Sequence, residues 1–343
     1  RGAPDRREAP DMNTAVLGAG SWGTGLAVHL ARAGHTVRLW AHELEVVDGV
    51  NRSHRNPLFL SDVEIPAGVV ATGDLRAAVS AAEAVLLVVP VQFARRVLAG
   101  LRGALPAETP LVSASKGIEV ATLRRPDEMA SDELGLRPGR FVALSGPSFA
   151  HEVAAGLPAA AVLAGTDEMV TRHLQEALSG PTFRFYTSTD VVGVELAGAL
   201  KNVVAIAAGI TTGLGLGSSA MAALLTRGLH EITRLGVRMG GRVETFRGLA
   251  GMGDLVLTCT GQLSRNRRVG ERLGRGEPLD AVLSGREVAE GVPTTGAALA
   301  LASRAGVEMP IATAVHAILG GRLDPRKALE TLMTRELRDE ASL

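Results

Sequence analysis

The chain is poor in cysteine and aromatic residues, and it has no excess of charge of either sign. A single cysteine, Cys259, in 343 residues excludes a disulfide framework. The eight histidines fall at no metal-ligand spacing, so no metal site is expected. Lysine plus arginine number 36, as do aspartate plus glutamate, which leaves no basic field for nucleic acid or acidic lipid. Seven Phe, two Trp and one Tyr are too few for a base-stacking surface or an aromatic cage. No run is apolar enough to be read as a membrane span, because the best candidate, Val191 to Ile210, is interrupted by Glu195, Lys201 and Asn202. Residues 1–11 are charged, contain two prolines, lack the apolar core of a secretory signal and are expected to be a mobile tail, and Met12 opens the first apolar run. The lone thiol suits a reducing compartment, and a cytoplasmic enzyme is the expectation.

What the chain does have is hydrophobic bulk, 46% of residues, and 41 glycines. That glycine content is about 12%, against about 7% in an average protein, and it suits close backbone approaches. At roughly 150 residues per domain the length predicts two domains. From Thr14 to Ser188, β-rich runs (TAVLG, HTVRLW, AVLLVVP, TPLVSAS, FVALSG, AAAVLAG, FRFYTS) alternate with helical ones. The runs are nearly continuous and apolar, as parallel strands covered on both faces should be. Beyond Thr189 only helical patterns remain, beginning with Val191 to Gly209 and ending with Pro325 to Met333. The expected architecture is α/β: a Rossmann-like doubly wound sheet over 12–188, then an all-α domain over 189–343.

Gly18-Ala19-Gly20-Ser21-Trp22-Gly23 follows the first strand and opens the first helix, the context that turns a G-x-G-x-x-G into a dinucleotide turn. Gly18 permits the turn, Gly20 lets backbone approach a pyrophosphate, Gly23 permits close helix packing, and the helix N-terminus favours phosphate. The second strand ends Trp40-Ala41-His42-Glu43, with no acid at its immediate end. His42 with Arg38 favours a 2′-phosphate and hence NADP(H); Glu43, one residue on, keeps NAD(H) open. Later strands run into Pro90, Ser115-Lys116-Gly117 and Ser145-Gly146-Pro147-Ser148, where ligands bind in open α/β sheets. Lys116 is the one charge there, either a surface lysine or a site residue. Ser148 and His151 lack the G-x-S-x-G elbow of a hydrolase.

Lys201 sits in a helix that is apolar almost all round. It is either a snorkelling lysine or a buried one, whose lowered pKa would suit acid–base work. Glu195 is on the wrong face to pair with it, so a partner must come from outside the helix. Asp254 and Thr258, at i,i+4, are candidates. Ser264-Arg265-Asn266-Arg267-Arg268 begins a cluster of five arginines in twelve residues, readable as a solvated face or as a phosphate clamp capped by Ser264.

Seven ordered segments, LGAGSWGTGLA, SKGIE, LSGPSFAHEVAAGLPAA, GALKNVVAIAAGI, LTRGLHEITRLG, GLAGMGDLVLTCTGQLSRNRRVG and VAEGVPTT, make the chain resemble bacterial NAD(P)-dependent glycerol-3-phosphate dehydrogenase from Met12 onward. The resemblance implies reversible reduction of dihydroxyacetone phosphate for glycerophospholipid synthesis, and a homodimer. It implies that the dinucleotide contacts Ser21, Trp22, His42, Lys116, Ala150, Arg265, Val288 and Glu290. Substrate would meet Lys116, Gly146, Ser148, Lys201, Asp254, Ser264, Arg265 and Asn266, with Lys201 the catalytic lysine, Asp254 and Lys116 assisting, and Thr258 near the reacting centre. Ser218-Ser219-Ala220-Met221 depart from the family pattern and are assigned no ligand. A β-hydroxyacid dehydrogenase of the same plan and a non-catalytic NADPH sensor are the competing readings. The arginine cluster, Lys116 and Lys201 are expected to make one cleft positive in a neutral protein.

Overall fold

A computed structural model describes residues 11–137, 139–284, 289–337 and 339–340. Most of the expected mobile tail and Val288 lie outside them. Among the described residues eight strands form one sheet: β1 (Asn13–Leu17), β2 (Thr36–Trp40), β3 (Val69–Thr72), β4 (Ala84–Leu87), β5 (Leu111–Ser113), β6 (Phe141–Ser145), β7 (Ala159–Gly165) and β8 (Phe183–Ser188). Between them run α1 (Ser21–Arg32), α2 (Leu44–Ser53), α3 (Leu75–Val79), α4 (Val91–Gly100), α5 (Pro126–Leu134), α6 (Ala150–Ala154) and α7 (Glu168–Leu178). The sheet order is β3-β2-β1-β4-β5-β6-β7-β8. Through β6 all pairs are parallel and the order is the dinucleotide-binding one, which reverses between β1 and β4.

Two features differ from the expectation. β3 lies outside the expected strands: Val69–Thr72 carries an apolar residue, Val70, at its exposed position, so the run shows no apolar–polar alternation. β7 runs antiparallel to β6, not parallel, and β8 is parallel to β7. The link from β6 to β7 contains only the five-residue α6, which packs on α1 instead of crossing the sheet. At thirteen residues, 146–158, the link is long enough for a parallel crossover, so the packing of its short helix on α1, not its length, goes with the antiparallel return.

The second half is helical: α8 (Val191–Gly213), α9 (Gly217–Arg238), α10 (Val243–Arg247), a wide π-type turn over Leu249–Gly253 running into α11 (Asp254–Thr260), α12 (Arg265–Gly274), α13 (Leu279–Leu283), α14 (Gly291–Ala305), α15 (Pro310–Leu319) and α16 (Pro325–Met333). Asp190 caps α8 through the Gly193 N–H, while its other oxygen accepts from Arg242 N and Thr245 Oγ1. Contrary to the sequence reading, α8 is by length and composition apolar enough to cross a membrane despite Glu195, Lys201 and Asn202, yet its Val191–Ile210 stretch is almost wholly buried inside the protein. Its first turn packs under the sheet through Val191 and Val194, and the rest forms the axis of the helical core. The fold thereby carries one helix from the sheet into the second half.

Four glycines set the contact between α8 and α12. A Cβ at Gly270 would overlap the Ile206 carbonyl, and one at Gly209 the Arg267 carbonyl, while Gly213 and Gly274 meet backbone one turn further on. The two helix backbones therefore touch. Gly270→Ala is expected to cost about 1–3 kcal/mol by forcing them apart, read as a lowered Tm; an unchanged Tm would show that the contact yields freely.

Candidate active site

A cleft of about 500 Å³ opens where the carboxyl ends of β1, β4, β5 and β6 face α8, α11, α12 and the start of α14. Its floor on the sheet side is the glycine turn. Gly18, at φ 113°, lies so close to Val88 that a Cβ would overlap its carbonyl, and a Cβ on Gly23 would overlap the Gly18 carbonyl. Around Gly20, by contrast, an added Cβ would meet nothing. Gly18 and Gly23 are thus packing residues of the turn, whereas Gly20, Ser21 and Trp22 line the cleft. Gly20 gives α1 no side-chain cap, which leaves the first-turn N–H groups for an anion. Buried Trp22 Nε1 has no hydrogen-bond partner among the described residues. A backbone cradle with open space at its middle glycine fits a dinucleotide pyrophosphate.

The opposite wall holds a three-residue ionic cluster. Lys201 Nζ lies 2.5 Å from Asp254 Oδ1 and donates to Thr258 Oγ1 at 2.7 Å. Lys116 Nζ donates to Asp254 Oδ2 at 2.7 Å and also faces the Gly146 carbonyl at 3.5 Å. One carboxylate therefore bridges two ammoniums from opposite halves of the chain. Burial by itself would raise the Asp254 pKa, but the two lysines outweigh it and hold the group below the ordinary carboxylate value. Lys201 is 5% exposed. Burial pushes its ammonium down to about 8, with Asp254 opposing the shift and Lys116 adding to it. Lys201 is a buried lysine and does not snorkel. Thr258 shares its helix face with Asp254 and returns a hydrogen bond to the Asp254 carbonyl.

Asn266 is nearly buried at the start of α12, which Ser264 caps by accepting from Arg267 N at 3.2 Å. Its Nδ2 donates to Asn202 Oδ1 at 2.9 Å and its Oδ1 accepts from Gly291 N at 2.9 Å. Those bonds fix the amide's orientation and leave one N–H to give. From the sequence Asn202 reads only as a polar interruption of the apolar helix and is given no site role, although a buried amide beside Lys201 is a signal of one. Arg265 reaches across the cleft, donating to Ser21 Oγ at 3.1 Å. Glu290 accepts from Val91 N at 3.2 Å, and burial raises its carboxyl to about 7.

Ser148, Ala150, Ser264 and Glu290 line the same cleft, so most of the expected site residues come together. Three expectations differ from what the structure places there. Gly146, at φ 152°, stands behind the cleft wall, touching Lys116 through its carbonyl. His42 is exposed at the end of β2 and does not line the cleft, while Arg38 sits mid-strand opposite Ala15 and Val70, so the two do not form a pair at the strand end. The five arginines split: Arg267 and Arg275 pair with Glu271 and Arg272 pairs with Glu277, whereas Arg265 and Arg268 line the cleft. With Lys116 and Lys201 they give four cations facing Asp62, Asp254 and Glu290, the last with its carboxyl raised to about 7, so the cleft keeps a positive excess, though a smaller one than the arginine cluster alone suggests. Glu195 pairs with Arg125 at 3.2 Å, away from Lys201. Ser218–Met221 start α9, outside the cleft.

Residues 13–171 match the family model for the NAD-dependent glycerol-3-phosphate dehydrogenase N-terminus, and 190–330 that for its C-terminus. A glycerol-3-phosphate dehydrogenase [NAD(P)+] from Nitratidesulfovibrio vulgaris is 54% identical over 331 residues, covering 96% of this chain and all of that protein. One from Rhodospirillum rubrum is 50% identical over 327 residues, covering 95% of this chain and 93% of that protein. The crystal structure of glycerol-3-phosphate dehydrogenase from Coxiella burnetii superposes with a TM-score of 0.90 at 42% identity, over 95% of this chain and 99% of that one. On these matches, spanning both halves and the cleft between them, the chain belongs to the NAD-dependent glycerol-3-phosphate dehydrogenase family.

Proposed function

We infer that this protein is an oxidoreductase that reversibly reduces dihydroxyacetone phosphate to sn-glycerol 3-phosphate with NAD(P)H. The observation that carries the mechanism is the Lys116–Asp254–Lys201 cluster facing the start of α12 across one cleft. The glycine turn, Ser21, Trp22, Ala150, Arg265 and Glu290 would hold the dinucleotide, which when bound supplies the hydride. Lys201 Nζ, kept protonated by Asp254, donates its proton to the alkoxide oxygen that develops on the substrate and stabilises the charge as it forms. Lys116, on the other Asp254 oxygen, keeps that carboxylate ionised and adds a second positive charge. Arg265 and the free N–H of Asn266 clamp the substrate phosphate and so orient the carbonyl carbon. The division of labour falls near residue 189, with the sheet half mainly binding dinucleotide and the helical half mainly substrate, while Arg265 and Glu290 reach back to the dinucleotide and Lys116 to the catalytic cluster. The product would feed glycerophospholipid synthesis in the cytoplasm.

Purified protein given NADPH and dihydroxyacetone phosphate should form sn-glycerol 3-phosphate. Turnover of β-hydroxy acids with none of the triose phosphate would replace this reading with the hydroxy-acid one, and dinucleotide binding without turnover of either would favour a sensor. NADP(H) is favoured on His42 alone, since Arg38 stands apart from the strand end. His42→Ala is expected to lower kcat/KM with NADPH several-fold and to leave that with NADH unchanged; equal losses with both donors would remove His42 from cofactor selection.

A further inference from the structure

We propose that Asn56, in the loop between α2 and β3, is a positioning residue that aims the glycine turn at the dinucleotide. The proposal rests on the dinucleotide part of the reading above. Asn56 is wholly buried, an unusual place for an amide. Its Nδ2 donates to the Ala19 carbonyl and to Thr24 Oγ1, both at 2.8 Å, and the Thr24 hydroxyl donates to the same carbonyl at 3.2 Å. Its Oδ1 accepts from Leu58 N at 3.2 Å and Phe59 N at 3.0 Å. Both amide hydrogens and the carbonyl oxygen are thus engaged, and the orientation is set by two N–H groups that can only donate, a carbonyl that can only accept and a hydroxyl whose hydrogen is already given.

The consequence follows from peptide geometry. The Ala19–Gly20 peptide is planar and trans, so its N–H points opposite to its C=O. Asn56 and Thr24 hold the carbonyl inward, which turns the Gly20 N–H toward the cleft that Gly20 lines. The other end of the amide braces the loop that supplies Leu60 and Asp62 to the same cleft. Leu60 there has φ 62°, a left-handed conformation unfavourable for leucine, which persists where the surroundings over-determine it. One side chain therefore sets both the floor and the rim of the dinucleotide half of the cleft.

The test is direct binding of NADPH to the full chain, followed by nicotinamide fluorescence, together with steady-state kinetics. Asn56→Asp keeps the acceptor for Leu58 and Phe59 but sets a carboxylate oxygen against the Ala19 carbonyl. Its Kd and KM for NADPH are expected to rise tenfold or more, with the KM for dihydroxyacetone phosphate within about twofold of the parent. Thr24→Val removes one node of the same network, is expected to raise the NADPH Kd about threefold, and carries the test if the aspartate variant does not fold. A folded Asn56→Asp with the parent Kd, or one whose two KM values rise equally, would overturn the proposal. Turnover of the parent tests the substrate reading separately, so a parent that binds NADPH but ignores triose phosphate fails that reading while the Kd comparison still decides Asn56.

Discussion

Lys201→Ala is expected to lower kcat by about 10²–10⁴-fold, the range for losing a positioned general acid, with a much smaller change in substrate KM. The variant removes the proton donor and leaves Asp254 paired with Lys116 alone. A loss confined to KM would show that Lys201 binds substrate and does no proton transfer. The pH dependence gives a second reading of the same residue. With the ammonium held at about 8, ketone reduction, which needs the protonated amine, should fall as pH rises through that value; alcohol oxidation, which needs the neutral amine, should rise through it. Asp254 holds the Lys201 pKa up, so Asp254→Asn should move both limbs to lower pH. Limbs that stay in place would show that Asp254 acts only as a structural counter-ion.

Arg265→Ala should act on the other axis. A hydrogen bond to a charged group is worth about 1.5–3 kcal/mol, and about 1.4 kcal/mol is tenfold. Removing the guanidinium is therefore expected to raise the KM for dihydroxyacetone phosphate roughly 10- to 100-fold. The KM for the dinucleotide should rise less, because the bond to Ser21 also ties α12 to the glycine turn. Arg265→Lys should recover only part of the loss, since an ammonium keeps the charge without the planar fork. Full recovery with lysine would mean that phosphate is read by charge alone. Equal falls in kcat, with unchanged substrate affinity, in Lys201→Ala and Arg265→Ala would contradict the division between proton transfer and phosphate binding.

The parts of this molecule that could be read from sequence are those whose signal is local. The glycine turn and α1 were legible because strand, glycines and apolar helix face lie within about twenty residues. Lys201 stood out because its helix has no polar face to carry a lysine to solvent. What pairs with it was only a candidate, since the Asp254 contact spans 53 residues, and Lys116, 138 residues from Asp254, read equally well as a surface charge. The arginine cluster resisted for a related reason: composition does not say which side of α12 faces its own glutamates and which faces the cleft. The direction of β7 depended on how α6 packs against α1, a tertiary fact with no trace in AAAVLAG. Asn56 is illegible because an uncharged amide in a loop looks ordinary until its burial is known, and Asn202 reads only as a polar break in an apolar helix until its bond to Asn266 is seen.

The most direct measurement is steady-state oxidation of NADPH by the purified protein with dihydroxyacetone phosphate and, side by side, with dihydroxyacetone, which offers the same ketone without the phosphate. The Lys201 cluster acts on the ketone and the start of α12 on the phosphate, so kcat/KM is predicted to be higher for the phosphorylated substrate by a factor of ten or more. Comparable kcat/KM for the two, or no oxidation with either by a preparation that binds NADPH, would contradict the account.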